Sequence, residues 1–209
     1  MYIPKAFAEE RPEVIAEAIR AARIAELVTM GPNGLDATPV PLLLEPRGEQ
    51  GTLVGHLARG NRQWRSFDPG VEALVIFRPA DAYVSPSLYP TKQTDGRVVP
   101  TWNYVTVHAW GPLVVHDDRA WLNGLVRRLT EHHQAGREPS WSVDDAPPEF
   151  IDRMLGGIVG IEIPIARIQA KWKLSQNRAQ EDFEGVVSGL AAGSDSDQRL
   201  AELMREVRD

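Results

Sequence analysis

Val14, Ile15, Ala18, Ile19 and Ala22 recur at helical spacing after Pro12, a residue suited to a first helical turn. The chain then turns extended over 24–30 and 36–44. Between these segments lies Gly31-Pro32-Asn33-Gly34, whose Asn-Gly pair signals a hairpin. A third strand over 51–58 would complete an antiparallel meander. A helical turn is expected over 63–67, a buried strand over 71–77 and another over 80–85. Residues 85–100 carry three prolines and one glycine and read as a loop. Residues 101–115, rich in β-branched and aromatic side chains, read as a long strand with a bend or bulge at Gly111-Pro112.

From residue 117 the period becomes helical. Asp117 or Asp118 can cap a helix whose inner face is Trp121, Leu122, Leu125, Val126 and Leu129. Pro147 opens a shorter helix through 155, Gly156-Gly157 ends it, and 158–163 and 165–174 return to strand. Helices are expected over 178–190 and 198–207, separated by a flexible Gly193-Ser194-Asp195-Ser196-Asp197 stretch. Strands come first, and helices lie mostly later and at the front edge. That order predicts an α+β fold, an antiparallel barrel or sheet with appended helices, rather than the βαβ alternation of a dinucleotide-binding fold.

The 209 residues are 43% hydrophobic and 25% charged, ordinary values for a chain with a sizeable core. The absence of cysteine excludes disulfides, thiolate nucleophiles, iron–sulfur clusters and Cys-based zinc sites. A formal net charge of -6 gives no whole-molecule attraction to DNA or anionic membranes. The amino terminus lacks the apolar core of a signal peptide, and no apolar run approaches the ~20 residues that span a bilayer, so a cytoplasmic protein is expected. Among the five histidines no pair has the four-residue spacing of a zincin, so no metal site is expected. No G-x-G-x-x-G helix opening, phosphate-binding G-x-x-x-x-G-K-[ST] or G-x-S-x-G is present.

Three polar-aromatic clusters remain. The first runs from His56 through Ala58, Arg59, Asn61, Arg62, Trp64 and Arg65. The second joins Tyr83-Val84-Ser85 to Trp102-Asn103-Tyr104. The third runs from Lys171 through Lys173 and Ser175 to Gln176-Asn177-Arg178. Cations hold phosphate, amides and hydroxyls bond ring heteroatoms, and Trp and Tyr offer flat apolar surface. A flavin mononucleotide meets all three chemistries, and so does a nucleotide or single-stranded nucleic acid. Structural roles suit the same residues: Trp102, Trp110 and Trp121 as core, Asn61 and Ser175 as helix caps, Arg59, Arg62 and Arg65 as a solvated triplet, His56 as a structural histidine.

At these clusters the chain resembles a known family. Met1-Tyr2-Ile3-Pro4-Lys5, Gly55-His56 through Asn61-Arg62-Gln63-Trp64-Arg65, Tyr83-Val84-Ser85, Val99-Pro100-Thr101-Trp102-Asn103-Tyr104 with Val107-His108, and Lys173-Leu174-Ser175-Gln176-Asn177-Arg178 are similar to the motifs of PaiB-like proteins. Those are described as FMN-binding negative transcriptional regulators. The resemblance covers residues 1 to about 190. It implies a split β-barrel of the pyridoxamine-phosphate-oxidase type, with peripheral helices and a helical C-terminus, and a homodimer holding FMN at the subunit interface. It also implies an FMN-binding domain over 1–192 and a flexible or helical tail over 193–209. By the same resemblance His56, Ala58, Arg59, Asn61, Arg62 and Trp64 lie near the flavin phosphate and ribityl chain, and Thr38 faces the ring. Trp102, Asn103 and Tyr104, with Lys173, Gln176 and Asn177, close the pocket from the other subunit. Two residues depart from the family pattern: Arg62 stands where proline is usual, and Pro39 where histidine is usual.

The function expected from this resemblance is a flavin-binding regulator that works through a small molecule or a partner, since no helix-turn-helix is recognisable. The alternatives are a flavin-dependent oxidoreductase, with His56 or Tyr104 as proton donor, and a binder of another flat cofactor such as haem, with His56 or His108 as axial ligand.

Overall fold

The computed structural model of the chain describes residues 1–94 and 96–208. Asp95, within the expected 85–100 loop, and Asp209, at the end of the expected tail, lie outside the described residues. In chain order the elements are β1 (Ala8–Glu9), α1 (Pro12–Ala21), β2 (Ala25–Gly31), β3 (Gly34–Val40), β4 (Leu42–Glu45), β5 (Thr52–Ala58), α2 (Gln63–Ser66) and β6 (Ala73–Val84). They continue with β7 (Thr101–Gly111), β8 (Val114–His116), α3 (Arg119–Gln134), α4 (Pro148–Leu155), β9 (Ile158–Pro164), β10 (Arg167–Lys173), α5 (Gln180–Ala191) and α6 (Asp195–Glu206). The chain divides into two compact units, with boundaries inside β6, β7 and β10.

One unit comprises Arg23–Ile76 and His108–Ile168. Its β2–β3 hairpin closes at the expected turn, with Gly31 opposite Gly34 and Gly34 at φ +102°. The single strand expected over 36–44 divides at Pro41, whose nitrogen cannot donate to a ladder. Before it, β3 pairs with β2; after it, β4 pairs with β5, Leu42 opposite Gly55. A four-stranded antiparallel sheet results, in the order β4-β5-β9-β8. The strand expected over 101–115 divides in the same way at Pro112, and β8 pairs with β9. Asp118 caps α3 by accepting from the Trp121 amide at 2.8 Å. Leu125 and Leu129 of α3 then pack on Val54 of β5, with Leu43 and Trp121 alongside. Full burial of such aliphatic side chains stabilises the packing by about 1.5–3 kcal/mol each.

The other unit comprises Met1–Ala22, Phe77–Val107 and the chain from Gln169 onward. Its strands lie in the order β1-β10-β7-β6, with Ala8 opposite Lys171. The two strands expected over 71–77 and 80–85 are one strand, β6. Its buried positions are odd at 73, 75 and 77 and even at 80, 82 and 84. That one-residue offset falls at Arg78-Pro79, as at a bulge built around a residue without an N–H, and it made one strand read as two. Helices α5 and α6 pack together, burying Phe183, Val186 and Leu190 on one and Leu200, Ala201 and Met204 on the other. The segment expected to be a flexible separator instead starts α6. Ser194 accepts from the Asp197 amide while the Asp197 carboxylate accepts from the Ser194 amide, a reciprocal cap.

Candidate functional site

The first cluster leaves the end of β5 and enters α2. Its anchor is Gln63, fully buried, whose Nε2 donates to Leu27 O, Thr29 Oγ1 and Asp36 O at 3.1–3.2 Å and so ties the turn to the β2–β3 hairpin. Asn61 works at both ends of its amide: Oδ1 accepts from the Gln63 N–H and Nδ2 donates to Thr38 Oγ1, both at 2.9 Å. Thr38 and Asn61 are therefore brought together, and Trp64 lies on the same turn as Asn61, its indole N–H donating to Arg59 O at 3.1 Å. The Arg65 guanidinium lies 4.1 Å from the Trp64 ring. A side chain at Gly60 would meet only open space, and Ala58 is exposed.

The three arginines separate by their partners. Arg59 donates to Gly156 O at 2.8 Å, to Ile158 O at 3.0 Å and, in a forked pair, to the Asp117 carboxylate. The Arg59 guanidinium holds the Asp117 carboxyl below the usual carboxylate range. With four of its five guanidinium N–H groups spent on a carboxylate and two carbonyls, Arg59 braces the turn against β9. Arg62 and Arg65 are exposed and make no ion pair among the described residues. Their three-residue spacing sets them on one side of the turn, a signal readable in the sequence that would have put Arg65 among the expected site residues.

His56 goes elsewhere. It shares a face of β5 with Val54, and its ring lines a cavity with Pro41, Trp141 and the α3 residues Val126, Leu129, Thr130, His133 and Gln134. None of these other lining residues belongs to the expected flavin set. Burial holds its pKa below the usual histidine value.

In the other unit the second and third clusters meet at one sheet surface. Lys173 Nζ donates to Thr101 Oγ1 and to Trp102 O, and burial, with Lys171 and Arg178 nearby, lowers its pKa. Lys171 and Lys173 stand 5.3 and 5.9 Å from the Tyr104 ring. Trp102 is 54% exposed and meets Tyr83 edge to face at 5.7 Å, so it is a surface ring and not core. Asn177 is exposed as well.

Two residues of this group bond the protein through both ends of their amides. Asn103 is fully buried; its amide donates to Ser175 Oγ at 3.0 Å and to Met204 Sδ at 3.6 Å, and its Oδ1 accepts from the same hydroxyl. Gln176 spends Oε1 on the Leu174 N–H and Nε2 on Trp172 O, closing its own turn around Ser175, which sits at φ +62°. Both amides are thus spent on the protein itself, that of Asn103 on Ser175 and Met204 and that of Gln176 on its own turn.

A family model described as "Putative FMN-binding domain" matches residues 1–167. The chain is 33% identical over 207 residues to Protease synthase and sporulation protein PAI 2 of Bacillus subtilis, covering 99% of this chain and 97% of that one. It is 30% identical to an uncharacterized protein of Emericella nidulans over 99% of this chain and 97% of the relative. Among solved structures it is similar to the flavocytochrome Anf3 of Azotobacter vinelandii (TM-score 0.58, 15% identity, 82% of this chain and 72% of that one). It is also similar to an FAD and heme binding protein of Mycobacterium smegmatis (TM-score 0.55, 16% identity, 91% and 82%). These likenesses establish the fold, α+β and of the antiparallel split-barrel class. The chain belongs to the PaiB-like family of FMN-binding-domain proteins, whose cofactor is FMN.

Proposed function

We propose that this chain is a homodimeric, FMN-loaded regulator whose flavin phosphate rests on Arg62 and Arg65. The carrying observation is the division of labour in the first cluster. A phosphate dianion is best held by donors that are not already in an ion pair, and among the described residues Arg62 and Arg65 are the guanidiniums of the turn that make none, although Arg65 is near enough to Asp117 to help lower its pKa. Among the described residues, the amides of Gly60 and Arg62 also donate to no protein acceptor, and the missing side chain of Gly60 leaves room for a close approach. Trp64 supplies flat surface beside them. The Thr38 hydroxyl, already accepting from Asn61, keeps its proton free to donate to a ribityl oxygen or ring carbonyl.

In the homodimer implied by the family, Trp102, Tyr104, Lys173 and Asn177 would close the pocket from the other subunit. FMN, when bound, supplies reversible electron transfer. The chain's own residues bind and orient it, and Lys173, with its lowered pKa, presents a proton donor at Nζ. The regulatory part follows the relative's name, a sporulation protein. The acidic net charge supports action through a ligand or partner rather than through direct contact with DNA.

The test is flavin retention. Protein loaded with FMN and desalted should keep the visible flavin bands, while the double variant Arg62→Glu, Arg65→Glu should lose at least roughly tenfold in FMN affinity. Arg59→Gln should act differently, loosening the fold at β9 before it affects the cofactor. Full retention by the double variant would overturn the phosphate assignment.

A further inference from the structure

Strand alternation gathers one kind of chemistry on one face of the β10-β7-β6 sheet. Val105 of β7 and Trp172 of β10 lie against Val14 and Ala18 of α1, so their strand neighbours Tyr104, Lys171 and Lys173 take the opposite face. Both lysines stand within 6 Å of the Tyr104 ring, at 5.3 and 5.9 Å, as that placement requires. Trp102 continues the face along β7 and meets Tyr83 of β6 edge to face; the two rings are 54% and 50% exposed. At the other end the exposed Tyr2 ring lies 5.9 Å from Lys171 Nζ. Large rings grouped on open surface are the mark of a contact site rather than of packing.

The charge on this face is unbalanced. Neither lysine makes an ion pair among the described residues. Lys171 Nζ, on a largely buried side chain, donates to Tyr2 O at 3.2 Å, and Lys173 Nζ donates to Thr101 Oγ1 at 2.6 Å and to Trp102 O. An ammonium has three N–H groups, so the half-buried Lys173 keeps one to offer. Tyr104 is half-buried too, and its hydroxyl makes no hydrogen bond among the described residues. The charges that act on Lys173 are those of Lys171 and Arg178, both positive, and with burial they lower its pKa. An anion set beside these cations would relieve their repulsion. A neutral guest would leave it in place, and a cation would add to it.

We propose that this face binds a flat aromatic acid, a carboxylate or phosphate carried on a ring. The anionic group bonds Lys173 Nζ and the Tyr104 hydroxyl, the Lys171 ammonium stands close behind, and the ring rests on Trp102 and Tyr83. The inference deepens the reading of the chain as a regulator working through a small molecule. It rests on that reading in one respect: with the flavin phosphate on Arg62 and Arg65, these lysines are left for a second molecule.

The experiment titrates the full chain, apo and FMN-loaded, with cinnamate and phenyl phosphate. Cinnamamide serves as the neutral analogue, and acetate and inorganic phosphate as anions without a ring. The chain has four lysines, so carbon-13 at lysine Cε gives a spectrum in which substitution by Met assigns Lys171 and Lys173. At least one aromatic acid should bind saturably with a dissociation constant below about 1 mM, the tighter of the two identifying carboxylate or phosphate. Cinnamamide and the ringless anions should bind at least roughly tenfold more weakly. Saturation should raise the Lys173 pKa, read from its carbon signal, because a bound anion favours the charged amine. Lys173→Met should weaken the acid by roughly tenfold or more, and Lys171→Met and Trp102→Ala by roughly threefold each, with dispersed spectra showing that each variant folds. Flavin absorbance, read on the same samples, separates the two sites: saturable binding at Lys173 by protein that retains no FMN supports this site while defeating the flavin assignment. Displacement of the acid by FMN would assign the lysines to the flavin itself and overturn the proposal. No saturable shift at Lys173, equal binding of cinnamamide, or undiminished binding by the folded variants would overturn it as well.

Discussion

Asn103 and Lys173 lie in segments that look alike in sequence, polar residues among rings, yet one is buried in a closed network and the other stands half-exposed. The difference follows from strand alternation: Asn103 falls on the inward parity of β7, between Trp102 and Tyr104, whose rings face out. Truncation of Asn103 to Ala would leave the Ser175 hydroxyl buried without its partner. It should destabilise the protein by about 1–3 kcal/mol in urea unfolding. An unchanged midpoint would show that the Asn103–Ser175 pair contributes nothing to stability. The three arginines teach the same lesson. Nothing local in the sequence says that Arg59 would meet Asp117, 58 positions on; the pairing exists because β5 and β8 both pair with β9, which sets the residues after them side by side. That Arg62 and Arg65 would lie on one side of a turn was readable from their spacing alone.

At the scale of elements, hydrophobic period placed α1, α3, α5 and most strands close to where they lie, because each buries one face and the period records which. Breaks were harder to read. Pro41 and Pro112 end one pairing and start another, whereas Pro79 is absorbed within β6. A proline forbids one ladder bond, but whether a neighbouring strand needs that bond is decided elsewhere in the chain. Close approach is equally non-local. A Cβ added at Gly160 in β9 would lie 2.1 Å from Cζ3 of Trp121 in α3, whose ring stacks on His116 at 4.1 Å. Gly160→Ala should therefore cost about 1–3 kcal/mol by overpacking. Adding Trp121→Leu should recover part of that loss, with a coupling of roughly 0.5–3 kcal/mol between the two sites. Strict additivity in a double-mutant cycle would refute the contact.

For the whole molecule, the net charge of -6 and the absence of a recognisable helix-turn-helix lead to a definite expectation for nucleic acid. Fluorescence anisotropy at about 0.15 M salt should show no binding of the chain's own upstream duplex or of a scrambled one at concentrations up to ~10 µM. Salt-dependent binding of the upstream duplex alone would make the chain a direct DNA reader. Among the described residues no helix is long and apolar enough to cross a membrane. Element types, the hairpin at Asn33-Gly34, the lack of thiol chemistry and the family motifs were all determined by the sequence itself, since each rests on residues adjacent in the chain or on composition. Only the tertiary structure decided which polar residues are free to meet a ligand. It joined Arg59 to Asp117 and Asn103 to Ser175, left Arg62 and Arg65 with no ion pair among the described residues, and set His56 against a depression lined by α3. Whether a side chain still has a hydrogen bond to offer depends on neighbours that strand pairing and helix packing bring together from distant parts of the chain.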